Sequence, residues 1–119
     1  MNDIVRKHPN ARMSQIVVHN GVVYLSGQVS PDLAAGSPPV EDQTRGVLAR
    51  INELLAEAGT NKSRLLTAQI WLADMAEFSK MNSVWESWID SSNPPARTTI
   101  GVALAHPKAR VEITVSAAI

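Results

Sequence analysis

The chain has 119 residues, 45% of them apolar and 18% charged, a composition that fits one folded core and excludes disorder. Lys and Arg number 11 and Asp and Glu 11, so the sequence has no general electrostatic hold on nucleic acid or an anionic membrane. It contains no Cys, which excludes disulfides, thiolate nucleophiles, zinc fingers and iron–sulfur clusters, and suits a cytoplasmic address.

No apolar run of about 18 residues is present to span a membrane, and Met1 to Pro9 carries no hydrophobic signal core. A single domain over 1–119 is expected. The first predicted element is a hairpin. Ser14 to His19 and Val22 to Gln28 flank Asn20-Gly21, two residues that tolerate positive φ. Val22-Val23-Tyr24-Leu25 is apolar without alternation, so both faces of this strand are expected to be covered. Gly27 to Pro39 reads as a turn-rich loop.

Val40, Thr44, Val47, Leu48, Ile51, Leu54, Leu55 and Ala58 then recur at helical spacing, with Glu41 and Asp42 at the positive end and Gly59 just past the other. Leu66, Ala68, Ile70 and Leu72 alternate with Thr67, Gln69 and Trp71, which predicts a strand. Asp74 and Glu77 resemble a capping pair for a second helix with Phe78, Met81, Trp85, Trp88 and Ile89 as its buried stripe. Asn93-Pro94-Pro95 stops it. Two strands close the chain. Thr98, Ile100, Val102 and Leu104 alternate up to a turn at His106-Pro107, and Val111, Ile113, Val115 and Ala117 alternate against Glu112, Thr114, Ser116 and Ala118.

The order β-β-α-β-α-β-β is an α+β pattern in which two helices cover one face of a sheet. Val22 to Leu25 asks for cover on both. The second face is therefore expected to meet further copies of the chain in a closed symmetric homo-oligomer, with ligand clefts between subunits.

Arg97 is the outstanding polar position. It follows the stiff Pro94-Pro95-Ala96 segment among small and apolar neighbours, and its planar fork suits bidentate capture of a carboxylate. A solvated Arg at a strand end is the plainer reading. Glu112 is the one acid in an alternating strand, on the face of Thr114 and Ser116, where it could hold and polarise a water. An ion pair with Arg110 or Lys108, or simple exposure, is the alternative. Ser14, Ser26 and Thr99 are possible hydroxyl ligands with no triad pattern around them. His8, His19 and His106 show no metal-ligand spacing, and no phosphate-binding glycine loop occurs.

With these residues in view, the chain resembles the reactive intermediate deaminase (RidA/YjgF) family over nearly its whole length. The resemblance rests on Pro95-Ala96-Arg97, then Ile100, Ala103 and Ala105, then Val111-Glu112-Ile113. Ser14-Gln15, Leu25-Ser26-Gly27-Gln28 and Met81-Asn82 match as well, while His19-Asn20-Gly21 and His106-Pro107-Lys108 make it similar to a divergent branch. The resemblance implies a chorismate-mutase-like α+β fold, assembled as a homotrimer with inter-subunit clefts. It implies hydrolysis of 2-imino acids to 2-keto acids and ammonia with no metal or organic cofactor. In that family pattern Arg97 binds the substrate carboxylate, and Glu112 positions the attacking water with backbone groups around Thr99. Ser26 and Gly27 line the cleft and Asn82 supports it. Two positions depart from the pattern: Met13 stands where the family has a Tyr, and Thr98 and Thr99 stand where it has a small residue or Cys. Two other functions remain open at this stage, a binding module for 2-keto acids or similar carboxylates and, fitting the neutral charge poorly, a ribonuclease.

Overall fold

Asn20 and Gly21 both take positive φ, 52° and 74°, the geometry of a two-residue hairpin turn. They join β2 (Ser14–His19) to β3 (Val22–Leu25). The computed structural model describes residues 3–119; Met1 and Asn2, the start of the segment read for a signal, lie outside them. An additional strand, β1 (Val5–Pro9), pairs antiparallel with β2, so the order is β-β-β-α-β-α-β-β rather than β-β-α-β-α-β-β. Its sequence, VRKHP, is charged and ends in Pro, which only a sheet edge tolerates. The side chains of Lys7 and His8 fasten it to Glu57, at 3.2 Å to the carbonyl and 2.6 Å to the carboxylate.

The other elements are α1 (Val40–Glu57), β4 (Leu65–Leu72), α2 (Phe78–Trp88), β5 (Ala96–Gly101) and β6 (Val111–Ala118). They complete a six-stranded sheet in the order β1-β2-β3-β6-β4-β5. Every pairing is antiparallel except β4 with β5, which is parallel and so needs the crossover that α2 supplies. This crossover puts β5 at the far edge, beside α2.

Both helices pack on one face. Ile51 and Leu55 of α1 and Met81 of α2 bury completely or nearly so against Val23, Ile70 and Ile113 of the sheet. Each Leu-sized side chain so buried contributes roughly 1.5–3 kcal/mol. Within β3 the expectation of two covered faces is met on one side only. Val23 and Leu25 are buried, whereas Tyr24 is 50% exposed on the open face.

Four local readings are corrected. In β4 the register shifts between Leu65 and Thr67, so Leu65 turns inward and Leu66, expected inside, is left exposed. In α2 the buried residues are Met81, Val84 and Trp85, with Phe78, Trp88 and Ile89 only partly covered. Asp74 caps a short 3₁₀ turn through the Ala76 N–H at 3.0 Å, and the Glu77 carboxylate accepts from Arg110 at 3.2 Å rather than closing a capping pair. In β5 the row of Thr98, Ile100 and Val102 faces away from the core, because Gly101 ends the strand and its inward positions are Arg97 and Thr99.

Candidate active site

The parallel register fixes where Arg97 points. It pairs with Ala68, a buried residue on the helix side of β4, so its side chain extends over the helix side and meets α2. There the guanidinium lies 5.4 Å from the Trp85 ring centre and 5.9 Å from that of Phe78. It also donates to Asn82 Oδ1 at 2.7 Å. Phe78, Asn82 and Trp85 are four and then three residues apart, one stripe of α2. Thr99, two residues along β5, shares this side, and its Oγ1 is buried with no hydrogen-bond partner. Among the described residues Arg97 has no carboxylate partner, so this half-buried cation is held by rings and an amide rather than neutralised. The plain solvated Arg is thereby excluded.

Glu112 lies on the other side of the sheet. Val111 and Ile113 face the core, so Glu112 between them faces the open side, opposite Trp71 of β4. Gly27 approaches so closely that any Cβ there would overlap the Glu112 carboxylate. Gln28 holds this approach in place, exchanging backbone hydrogen bonds with Ile113 at 2.8 and 3.0 Å. The alternative ion pairs do not form among the described residues: Arg110 is engaged by Glu77, and the Lys108 ammonium reaches the Ala34 carbonyl. The Ser26 hydroxyl donates to the Ser14 carbonyl at 2.6 Å, so it ties β3 to β2 beside Gly27. Met13 precedes Ser14 in the β1–β2 connection and is 40% exposed.

The sequence-predicted site thus separates into two halves. Arg97, Asn82 and Thr99 share the helix side at the β5 edge, whereas Glu112, Gly27, Ser26 and Met13 gather at the β2–β3–β6 side. Arg97 aligns with Ala68 and hence with Val115, while Glu112 aligns with Trp71. Two strand spacings and three residues of rise put their backbones about 14 Å apart, on opposite faces. One chain does not bring them to one small ligand. Sequence reading placed Phe78 and Trp85 in the core, where Trp85 is buried and Phe78 partly so, but did not foresee that the same rings meet Arg97; their i, i+4, i+7 spacing with Asn82 was the available signal.

The Endoribonuclease L-PSP family model matches residues 4–119. A RutC family protein of Haemophilus influenzae is 45% identical over 114 residues, covering 96% of this chain and 97% of that one. The crystal structure of a YjgF family member from Neisseria meningitidis superposes with a TM-score of 0.91 at 39% identity, over 98% of this chain and 94% of that one. A bovine protein named 2-iminobutanoate/2-iminopropanoate deaminase is 35% identical over 103 residues, 84% of this chain and 74% of that one. With its sheet order, its two-helix layer and a match over almost its full length, the chain belongs to the Endoribonuclease L-PSP family, whose members also carry the names RutC and YjgF.

Proposed function

We propose that the protein hydrolyses 2-imino acids to 2-keto acids and ammonia in clefts between the subunits of a homotrimer. The observation that carries this reading is Arg97, a cation cradled by Trp85 and Phe78 with no carboxylate partner among the described residues. A ligand carboxylate is the natural partner for the rest of its fork. The bovine relative, named for such a deaminase, supports the reaction class. The separation of Arg97 from Glu112 supports the assembly, because the Arg97 edge of one copy meets the Glu112 face of the next only across an interface.

The chemistry asks little of the protein. With the carboxylate on Arg97, the imine carbon is already electrophilic and needs only an oriented water. Glu112 accepts a proton as the water oxygen adds to that carbon, then returns it to the nitrogen. The hydroxyl proton of the resulting carbinolamine passes by way of Glu112 to the same nitrogen as the carbon–nitrogen bond breaks, so the keto group forms and ammonia leaves. No step calls for a metal or organic cofactor. Met13 favours a second reading, a binding module for 2-keto acids, because a thioether supplies no donor where the family has a phenol. RNA cleavage, despite the family's description, finds no support in a chain with 11 basic and 11 acidic residues.

The test generates 2-imino acids in situ with an amino-acid oxidase and follows their trapping by semicarbazide. Adding the protein is expected to slow semicarbazone formation. An unchanged trapping rate overturns the enzymatic reading and leaves the binding module.

A further inference from the structure

Asn82 is held at both ends of its amide. Its Oδ1 accepts from Arg97 at 2.7 Å, and its Nδ2 donates to Glu86 Oε1 at 2.8 Å. The chemistry of the two partners dictates this orientation. A guanidinium has only donors and a carboxylate only acceptors, so the amide fits one way round. Glu86 lies one helical turn beyond Asn82 on the same face of α2, next to Trp85 in sequence. It is exposed, has no ion-pair partner among the described residues, and makes no hydrogen bond there except to Asn82.

We propose that Glu86 is a positioning residue for ligand binding: by holding Nδ2 of Asn82 it keeps Oδ1 turned to Arg97, so that the guanidinium presents a fixed remaining edge to a carboxylate. The inference rests on the reading of Arg97 as the carboxylate anchor. Trp85 and Phe78 hold the guanidinium carbon 5.4 and 5.9 Å from their ring centres, and Asn82 adds the directional contact that orients the fork. Without Glu86 the amide is free to turn away, and the fork loses that contact. A cation at position 86 does more, since it would draw the amide oxygen to itself and leave the amide N–H groups facing the guanidinium.

The test is calorimetric titration of 2-oxobutyrate into the wild type and three variants. Glu86→Ala is expected to weaken binding about three- to tenfold, the order of the net worth of one ordinary hydrogen bond. Glu86→Gln, which still offers an acceptor to Nδ2, is expected to restore most of the loss, and Glu86→Lys to bind most weakly. In turnover the loss falls on KM. Thermal unfolding checks that this exposed helix position leaves the fold intact. Binding by Glu86→Ala within twofold of wild type overturns the proposal. Equal weakening by Ala and Gln also overturns it, because the charge of Glu86 rather than its acceptor would then be the cause. Failure of the wild type itself to bind 2-oxobutyrate overturns instead the underlying role of Arg97.

Discussion

A guanidinium stacked on aromatic rings keeps its charge, because the rings attract it without cancelling it as a carboxylate would. Arg97 is in this state, and its variant isolates the anchor. Arg97→Ala is expected to fold normally and to lose about 2–4 kcal/mol of 2-keto-acid affinity, the worth of a charge-assisted bidentate contact. Unchanged pyruvate binding by titration calorimetry refutes that role. Glu112 is the complementary case. The space left by the missing side chain of Gly27 is filled by the Glu112 carboxylate, and no side chain of the protein neutralises it among the described residues. Glu112→Gln keeps the shape and removes the basicity. Binding of 2-keto acids should persist while imine turnover falls by about 10²–10⁴, the usual range for a positioned acid or base. Intact turnover in this variant would leave the backbone near Thr99 as the water's ligand.

Between α2 and β5 the chain turns around Asp90, whose carboxylate accepts from the Ser92 N–H and the Asn93 side chain, both at 3.0 Å. The Asn93 hydrogen bond above all, then those from Ser63 and Ser92, hold the Asp90 carboxyl below its ordinary value of 3.8. A carboxyl depressed on folding stabilises the folded state above that ordinary value and loses the contribution as pH falls through the lower, folded-state value. Urea titrations should therefore show wild type more stable than Asp90→Ala at neutral pH, with the gap shrinking in strong acid. A gap independent of pH would deny the turn any ionic contribution. The same element scale shows what the sequence could disclose. The hairpin at Asn20-Gly21, the long helix α1 and the alternation of β6 follow from turn chemistry and periodicity, and each is where the pattern put it. Strand β1 was hidden because VRKHP pairs on one side only and buries almost nothing. Leu66 was misplaced because a bulge changes register without a sequence mark. Arg97 and Glu112 stood out as isolated charges in apolar strands. Their placement on opposite faces did not, since it depends on the parallel pairing of β5.

On the open face Tyr24, Thr67, Gln69, Thr114 and Ser116 line a concavity of about 440 Å³, and Leu66, Ile100 and Val102 stand more than two-fifths exposed. Such a mixed face, with large apolar side chains among hydroxyls, is the kind that symmetric assemblies cover. Light scattering is expected to report a trimer, and a monomer at every concentration would remove the inter-subunit site. A sharper check mixes two inactive variants. If Arg97 and Glu112 act from different subunits, Arg97→Ala and Glu112→Gln chains that have exchanged subunits should regain about a quarter of the wild-type activity, the share of interfaces at which random assembly joins two intact halves. No recovery after proven exchange would place both residues' action within one subunit.

The opposite-face placement of Arg97 and Glu112 has a thermodynamic corollary. A ligand held by one subunit's cation and the next subunit's carboxylate binds only where two subunits meet, so it acts as a reversible cross-link. Mass action then ties occupancy to quaternary stability: at a concentration one hundred times Kd, each filled cleft adds about 2.7 kcal/mol against dissociation. Dilution without ligand would scatter the half-sites among separate chains, and a rise in ligand would gather them again. The assembly would be most durable when its substrate is most abundant.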